Sequence, residues 1–386
     1  MRFAFTEEQT AVQNMAFQFA KDRLAPKADE WDETRHFPVD VIREAAPLGM
    51  AAIYVDEADG GSGFGRLDGA LIHEALSYGC PTIASYISIH NMVSWMTSKY
   101  ANKEQRGRWM DKLTSMEWLG SYCLTEPGCG SDAAGLKTRA VKKGGKYILN
   151  GVKQFISGAG ASDFYIVFAR TGDDGAYGIS AFAVTSDTPG LSFGANERKM
   201  GWNAQPTRQV ILDNAEVPVE NMIGKEGQGF RFAMSGLDGG RINIGACSLG
   251  AAWNALDKTR AYVFERQAFG QDLANFQAIQ FKVADMATDL EAARLMIYRA
   301  ADAIDQGDPQ ATTYCAMAKR YATDLCFATC NQALQVHGGY GYLKDYGLEK
   351  LVRDLRVHQI LEGTNEIMRV IISRQMLNSQ ASNWNR

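Results

Sequence analysis

Between residue 119 and about residue 230 the chain is punctuated like a sheet, while on both sides its apolar residues recur at helical spacing. Tyr147 to Gly151 and Phe164 to Ala169 are short runs of strand-forming residues. Gly144-Gly145 sits between strand-like flanks, and Gly172-Asp173-Asp174-Gly175 separates a further pair. Downstream, Phe276 to Asp305 is one long amphipathic stretch halted by Gly307 and Pro309. The next runs to His337 and stops at Gly338-Gly339. Helices, then strands, then helices imply a mainly α chain with a central β domain. The expected divisions are an all-α domain over 1–118, a β domain over 119–230 and a helical domain over 231–386, which a chain of 386 residues can accommodate.

Local signals place the first helices. Thr6 with Gln9 forms a capping box ahead of Val12, Met15 and Phe19 on one face. Pro38 suits the first turn of a helix reaching Leu48. Leu67, Leu71, Ala75 and Tyr78 repeat the helical spacing, and Asn102 with Gln105 opens another helix before Met116. Lys142, Lys143 and Lys146 read as a solvated hairpin tip rather than a basic patch.

Composition narrows the function classes. Hydrophobic residues at 46% and charged residues at 22% are the balance of a soluble globular protein. A net charge of only -4 provides no global field for nucleic acid or an anionic membrane, so neither is an expected partner. No apolar run approaches the roughly 18 residues of a membrane span. The opening segment, MRFAFTEEQTAVQ, has neither signal-peptide nor transit-peptide character. Seven cysteines, an odd number scattered from Cys80 to Cys330, make no disulfide framework. The expected compartment is reducing: the cytoplasm, or the mitochondrial matrix for a processed eukaryotic form.

Most catalytic motifs are absent. There is no G-x-x-x-x-G-K-[ST], no H-E-x-x-H and no G-x-S-x-G, and no two of the five histidines are spaced i, i+4. No metal site is expected. Gly128, Gly130 and Ala133 match G-x-G-x-x-A, but the following Lys137 to Gly151 reads as a hairpin rather than a helix, which argues against a dinucleotide fold. The whole tract runs Tyr122-Cys123-Leu124-Thr125-Glu126-Pro127-Gly128-Cys129-Gly130-Ser131-Asp132. Its backbone N–H groups and hydroxyls suit either an anionic ligand or a plain interdomain loop, and the tract alone does not decide.

That tract, with QFIS at Gln154 to Ser157, HGGYGY at His337 to Tyr342 and ILEGTNEI at Ile360 to Ile367, resembles the acyl-CoA dehydrogenases. The four tracts stand in the family's order, and the similarity extends from about Phe5 to Leu377. SYISIHNM, MGWNAQPTR, GGRINI and VRDLRVHQILEG further resemble the branch acting on isobutyryl-CoA. The resemblance implies an N-terminal helical domain, a middle β-barrel domain and a C-terminal four-helix bundle, assembled as a homotetramer. It implies FAD as cofactor, an acyl-CoA thioester as substrate and electron transfer flavoprotein as acceptor. 2-Methylbutyryl-CoA and straight short chains remain as alternative substrates, and a non-catalytic scaffold as the alternative of another class.

The implied site residues follow position by position. The base that takes the Cα proton maps onto Glu362; some members carry it on another helix, where this chain has Gly240 beside Arg241. Burial after Ile360 and Leu361 would raise the pKa of such a carboxylate. FAD is implied to lie against Tyr122, Cys123, Leu124, Thr125, Glu126, Pro127, Gly128, Cys129, Gly130 and Ser131, against Phe155, Ile156 and Ser157, and against Thr364, Asn365 and Glu366. Phe155 stands where many members have tryptophan, and Ser157 where threonine is common. Arg266, Phe276 and Gln277, with Gln335, Val336, His337, Gly338 and Gly339, match positions reaching a neighbouring subunit's FAD. Ser131, Asp238 and Arg374 match positions assigned to the substrate's CoA portion, and Arg241 is a further implied substrate residue. Leu361 replaces a tyrosine found in many members, which would leave room beside the base for a branched acyl group.

Overall fold

The computed structural model describes residues 4–378; the outermost ends of the first and third expected domains lie outside them. Six helices come first: α1 (Glu7–Phe19), α2 (Ala28–Thr34), α3 (Val39–Arg43), α4 (Arg66–Gly79), α5 (Pro81–Tyr100) and α6 (Lys103–Thr114). The capping boxes at Thr6/Gln9 and Asn102/Gln105 are both formed. The helix expected to reach Leu48 instead ends at Arg43, with Pro38 at its N-cap, and a 3-10 turn covers Ala46–Leu48. Pro47 is the reason, since it has no N–H to continue the ladder.

Eight strands follow: β1 (Gly120–Cys123), β2 (Arg139–Lys143), β3 (Lys146–Ser157), β4 (Phe164–Arg170), β5 (Ile179–Thr185), β6 (Leu191–Phe193), β7 (Thr207–Pro218) and β8 (Met222–Ile223). They form one sheet in the order β6-β7-β3-β2-β4-β5-β8, with β1 parallel to β4. Gly144-Gly145 turns β2 into β3, and the Gly172 to Gly175 segment lies between β4 and β5. β3 continues well past Gly151 because two register shifts, at Leu149/Gly151 and Lys153/Ile156, let the strand pass the glycine without losing β7. At Gly151, with φ +153°, a Cβ would sit 2.3 Å from Thr138 Oγ1, so only glycine fits.

The chain then enters α7 (Gly229–Glu265), a short hairpin of β9 (Gln267–Ala268) and β10 (Gln271–Asp272), and α8 (Gln277–Asp305), α9 (Ala311–His337), α10 (Leu348–Arg356) and α11 (Asn365–Asn378). α7, α8 and α9 share an alanine-rich core that includes Ala252, Ala255, Ala293, Ala300, Ala318 and Ala322, small residues that allow close helix approach. α4 comes closer still, since a Cβ on Gly250 of α7 would lie 1.9 Å from the Glu74 carbonyl. α7 is therefore the shared wall of the helical layers, and α5, β1 and the turn before α11 meet near its N-terminal third.

Candidate active site

The turn carrying Glu362 is the most unusual piece of backbone near that wall. Glu362 has φ +55° and Gly363 has φ +92°, so two successive residues are left-handed between a 3-10 turn (Val357–Gln359) and α11. For a non-glycine residue this conformation costs about 1–3 kcal/mol and persists only where its surroundings enforce it. The enforcement is visible. Arg241 Nε of α7 donates to the Glu362 carbonyl at 3.4 Å, and Lys319 Nζ of α9 donates to the Gly363 carbonyl at 2.8 Å.

The turn directs the carboxylate inward. Although the residue keeps some exposure, its Oε2 is sealed from solvent and has no hydrogen-bond partner among the described residues. Oε2 faces α7, where a Cβ on Gly240 would lie 2.2 Å away and 2.7 Å from Met92 Cε of α5. Gly240 is thus a required vacancy on the helix, and Met92 supplies an apolar flank. Burial lifts the Glu362 carboxyl to about 7, against the opposing pull of Lys319 and Arg241. An isolated carboxylate with that proton affinity in an apolar cleft is equipped to accept a proton from carbon.

The loop after β1 arrives beside this carboxylate. Tyr122 donates to the Ala233 carbonyl of α7 at 3.2 Å, and its hydroxyl proton is held tightly by burial and by the Glu362 charge. Cys123 and Leu124 are buried in core clusters, whereas Pro127, Gly128, Gly130 and Ser131 are exposed. Glu126 is turned into the protein: its carboxylate accepts from the Lys137 and Thr138 N–H groups at 2.6 and 2.9 Å and from the fully buried Lys153 Nζ at 2.8 Å. It shapes the loop and leaves the ligand-facing side to backbone and hydroxyl groups. Cys129 Sγ likewise bonds inward, to the Asp132 carbonyl.

On β3, the bulge between Lys153 and Ile156 swings Phe155 outward with φ +58° and 63% exposure, while Ile156 points into the core. Ser157 Oγ accepts from Gln205 Nε2 at 3.2 Å and has no acceptor for its own hydrogen among the described residues. Its O–H is available to a ligand. At the start of α11, Thr364 Oγ1 accepts from the Ile367 N–H, and Glu366 is exposed. The Asn365 side chain is engaged inside the protein with Lys319, Thr323 and Asp324, so only its backbone remains for a ligand. An exposed stacking ring, an unmatched hydroxyl and a helix N-terminus suit a planar cofactor with an anionic tail.

Other expected residues lie at the opposite end of α7. Arg266 caps that helix, about 39 Å from Gly240 along the axis at about 1.5 Å per residue. It lines a cavity of about 460 Å³ with Val336, His337, Gly338 and Gly339; Phe276 is half-buried nearby and Gln277 and Gln335 are exposed. Arg266 lies over the Tyr340 ring and has no carboxylate partner among the described residues. This group is assembled as one patch but is remote from the chain's own Glu362. Asp238 bonds Arg241 Nη1 at 2.6 Å and Thr312 Oγ1 at 2.7 Å, so both lie beside the Glu362 turn. Ser131 and Arg374 are exposed. Leu361 is part-buried against the N-terminal core. Two residues at the site were missed from sequence, Lys319 and Met92; the signal for the first was a lone lysine on a stripe with Cys315, Ala322 and Cys326.

Three family models span the chain: acyl-CoA dehydrogenase, N-terminal domain (residues 6–117), middle domain (121–215) and C-terminal domain (227–377). Isobutyryl-CoA dehydrogenases of Bos taurus and Dictyostelium discoideum, both named as mitochondrial, are each 54% identical over 96% of this chain and 89% of theirs. Butyryl-CoA dehydrogenase from Megasphaera elsdenii superposes with a TM-score of 0.95 at 37% identity, covering 98% of this chain and 100% of that one. A chain matched end to end by these models, with a buried carboxylate facing a vacant helix position, belongs to the acyl-CoA dehydrogenases, FAD-dependent enzymes acting on acyl-CoA thioesters.

Proposed function

We propose that this enzyme converts isobutyryl-CoA to methacrylyl-CoA as a step of valine breakdown, with Glu362 as the base. The observation that carries the reading is the Glu362 carboxylate itself, its Oε2 buried without a hydrogen-bond partner among the described residues, beside Gly240 and Met92. A carboxylate kept in a strained turn without a structural partner has its use outside the fold. The 54% identity to isobutyryl-CoA dehydrogenases supports the choice of acyl group.

FAD supplies the acceptor for the hydride leaving Cβ. The chain does the rest. Glu362 takes the Cα proton, and the apolar flank around Met92 excludes water that would compete for it. The Tyr122 to Ser131 loop and Phe155 to Ser157 hold the flavin, with the Ser157 O–H donating to its ring. Thr364 to Glu366 offer a helix N-terminus, whose dipole favours phosphate. Arg266, Phe276, Gln277 and Gln335 to Gly339 serve the FAD of a neighbouring subunit in a homotetramer, a reading supported by their distance from this chain's own carboxylate. Ser131, Asp238, Arg241 and Arg374 position the CoA portion. Electron transfer flavoprotein takes the electrons, and the seven buried free cysteines fit a reducing compartment.

The test is anaerobic titration of the yellow holoenzyme with a panel of thioesters. Isobutyryl-CoA is expected to exceed butyryl-CoA and 2-methylbutyryl-CoA in kcat/KM by about tenfold, the scale set by one methyl group in a fitted pocket. A preference for butyryl-CoA overturns the substrate assignment and leaves the family intact. Leu361→Tyr should then depress isobutyryl-CoA turnover about ten- to a hundredfold more than butyryl-CoA turnover; an unchanged ratio removes Leu361 from the specificity argument.

The pH dependence has a definite sign. The base must be ionised to act, so kcat/KM falls about tenfold per pH unit below the Glu362 pKa and levels off above it. With that carboxyl at about 7, the bend belongs near neutrality, not at the ordinary carboxyl value of 4.5. A profile flat between those two values would contradict the burial argument.

A further inference from the structure

We propose that Lys319 is the positioning residue for Glu362: it pins the left-handed turn that aims the carboxylate and supplies the buried positive charge that keeps it ionisable. The inference rests on the reading of Glu362 as the base. Lys319 is fully buried on α9, among alanines and cysteines, where a lysine has no reason to be unless something holds its ammonium. Its Nζ donates to the Gly363 carbonyl at 2.8 Å and to Asn365 Oδ1 at 2.9 Å. Those acceptors flank the start of α11, immediately after the base. Asn365 is fixed in turn by Thr323 Oγ1 at 2.9 Å and Asp324 Oδ1 at 2.7 Å, both on α9. The turn is therefore clamped to α9 by one ammonium and one amide, and to α7 by Arg241 on the Glu362 carbonyl.

The electrostatics agree with the geometry. Burial draws the Lys319 ammonium down to about 7, while Glu362 holds it up; Lys319 in turn opposes the upward shift that burial imposes on Glu362. The other groups that bear on the pair come from every packed element. Arg241 on α7 is tied to Asp238, Asp324 lies on α9 and Glu366 on α11, Tyr122 lies on β1, and His358 is kept neutral by burial beneath them. Arg241 is shared with Asp238 at 2.6 Å while still drawing on Glu362. Among the described residues no side-chain carboxylate lies in salt-bridge contact with Lys319, and of the carboxylates whose charge it feels Glu362 acts most strongly, ahead of Asp324 and Glu366.

The experiment uses the FAD-loaded full chain and three variants, Lys319→Met, Lys319→Gln and Lys319→Arg. Two readouts are taken as functions of pH: the rate of anaerobic flavin bleaching by isobutyryl-CoA, and the protonated-carboxyl infrared band that disappears in Glu362→Gln. Lys319→Met is expected to raise the infrared midpoint by about one unit or more, the scale of losing a nearby opposite charge. Its bleaching is expected to slow about ten- to a hundredfold even at high pH, because a loosened turn misplaces the carboxylate. Lys319→Gln keeps a donor for the Gly363 carbonyl but no charge, so its midpoint rises while its high-pH rate stays nearer wild type. Lys319→Arg restores the midpoint. If Lys319→Met does not retain FAD, the Gln and Arg variants carry the test. An unshifted midpoint in Lys319→Gln, or no recovery of it in Lys319→Arg, overturns the proposal. Undiminished bleaching by Glu362→Gln would instead sink the base assignment, while the infrared midpoint still reports on Lys319.

Discussion

Glu362→Gln should retain FAD and lose flavin reduction by about a hundred- to ten-thousand-fold, the range for removing a positioned general base. The amide has nearly the same shape, so the left-handed turn and its bonds to Arg241 and Lys319 stay in place, since these donate to the backbone carbonyls of residues 362 and 363 rather than to the side chain. The loop around Tyr122 also keeps its own anchors at Glu126 and Lys153. What disappears is the buried carboxylate that takes the proton from Cα. Stability should move the other way. The folded protein holds the Glu362 proton more tightly than an unfolded chain does, with a pKa raised from 4.5 to about 7. Its contribution to stability is thus fully present below the unfolded value and lost as pH rises through the folded one. A neutral amide escapes that loss, so the melting temperature of Glu362→Gln relative to wild type should climb as pH rises from about 4.5 to about 7 and level off above. Full-rate bleaching of the variant's flavin band at saturating isobutyryl-CoA is the result that removes Glu362 from the mechanism.

How much of this was readable from sequence depends on whether the signal was local. The capping boxes at Thr6 and Asn102, the stop at Gly307 and the hairpin glycines at Gly144-Gly145 are local devices, and each stands where expected. The helix at Pro38 stops short of Leu48 because Pro47 breaks it, a second local signal that overrides the favourable N-terminal one. β3 outruns its sequence signal because Gly151 interrupts the alternation, and only the bulge opposite β7 shows that the strand continues. The residue that aims the base was invisible for a different reason. Lys319 lies 43 positions before Glu362, and nothing in its own neighbourhood announces a partner. A lysine on an apolar helix stripe says that a buried acceptor exists somewhere; the fold alone says that it is the carbonyl next to the base. Likewise, Glu126 belongs to the loop that resembles a flavin site, yet its side chain faces away from the ligand side, a direction that no spacing encodes.

The vacant position on α7 allows the base to be moved. Gly240→Glu alone should be nearly inactive, because a Cβ there would lie 2.2 Å from Glu362 Oε2 and 2.7 Å from Met92 Cε. Combined with Glu362→Gly, the obstructing carboxylate is gone and the new one enters the same apolar volume from the opposite wall. Both changes are locally favourable. Glycine accepts the φ of +55° that strains glutamate, and glutamate in a helix interior is better than glycine by up to about 1 kcal/mol. The competing fate of the new carboxylate is capture by Arg241, its chain neighbour, but that guanidinium is already paired with Asp238 at 2.6 Å. Met92 is flexible and unbranched, so the far end of its side chain can swing away by the roughly 1 Å that a Cβ at 2.7 Å requires. The double variant is therefore expected to reduce its flavin about ten- to a hundredfold faster than Glu362→Gly alone, while remaining slower than wild type because the carboxylate is no longer held by the turn. The moved carboxylate is no longer aimed by the turn that Lys319 clamps but still feels its charge, so adding Lys319→Gln to the double variant should raise the pH midpoint while leaving the high-pH rate almost unchanged. Stopped-flow bleaching with isobutyryl-CoA measures both effects. A double variant no faster than Glu362→Gly would mean that Gly240 and Glu362 do not face the same carbon, and the site geometry argued from their contact would have to be abandoned.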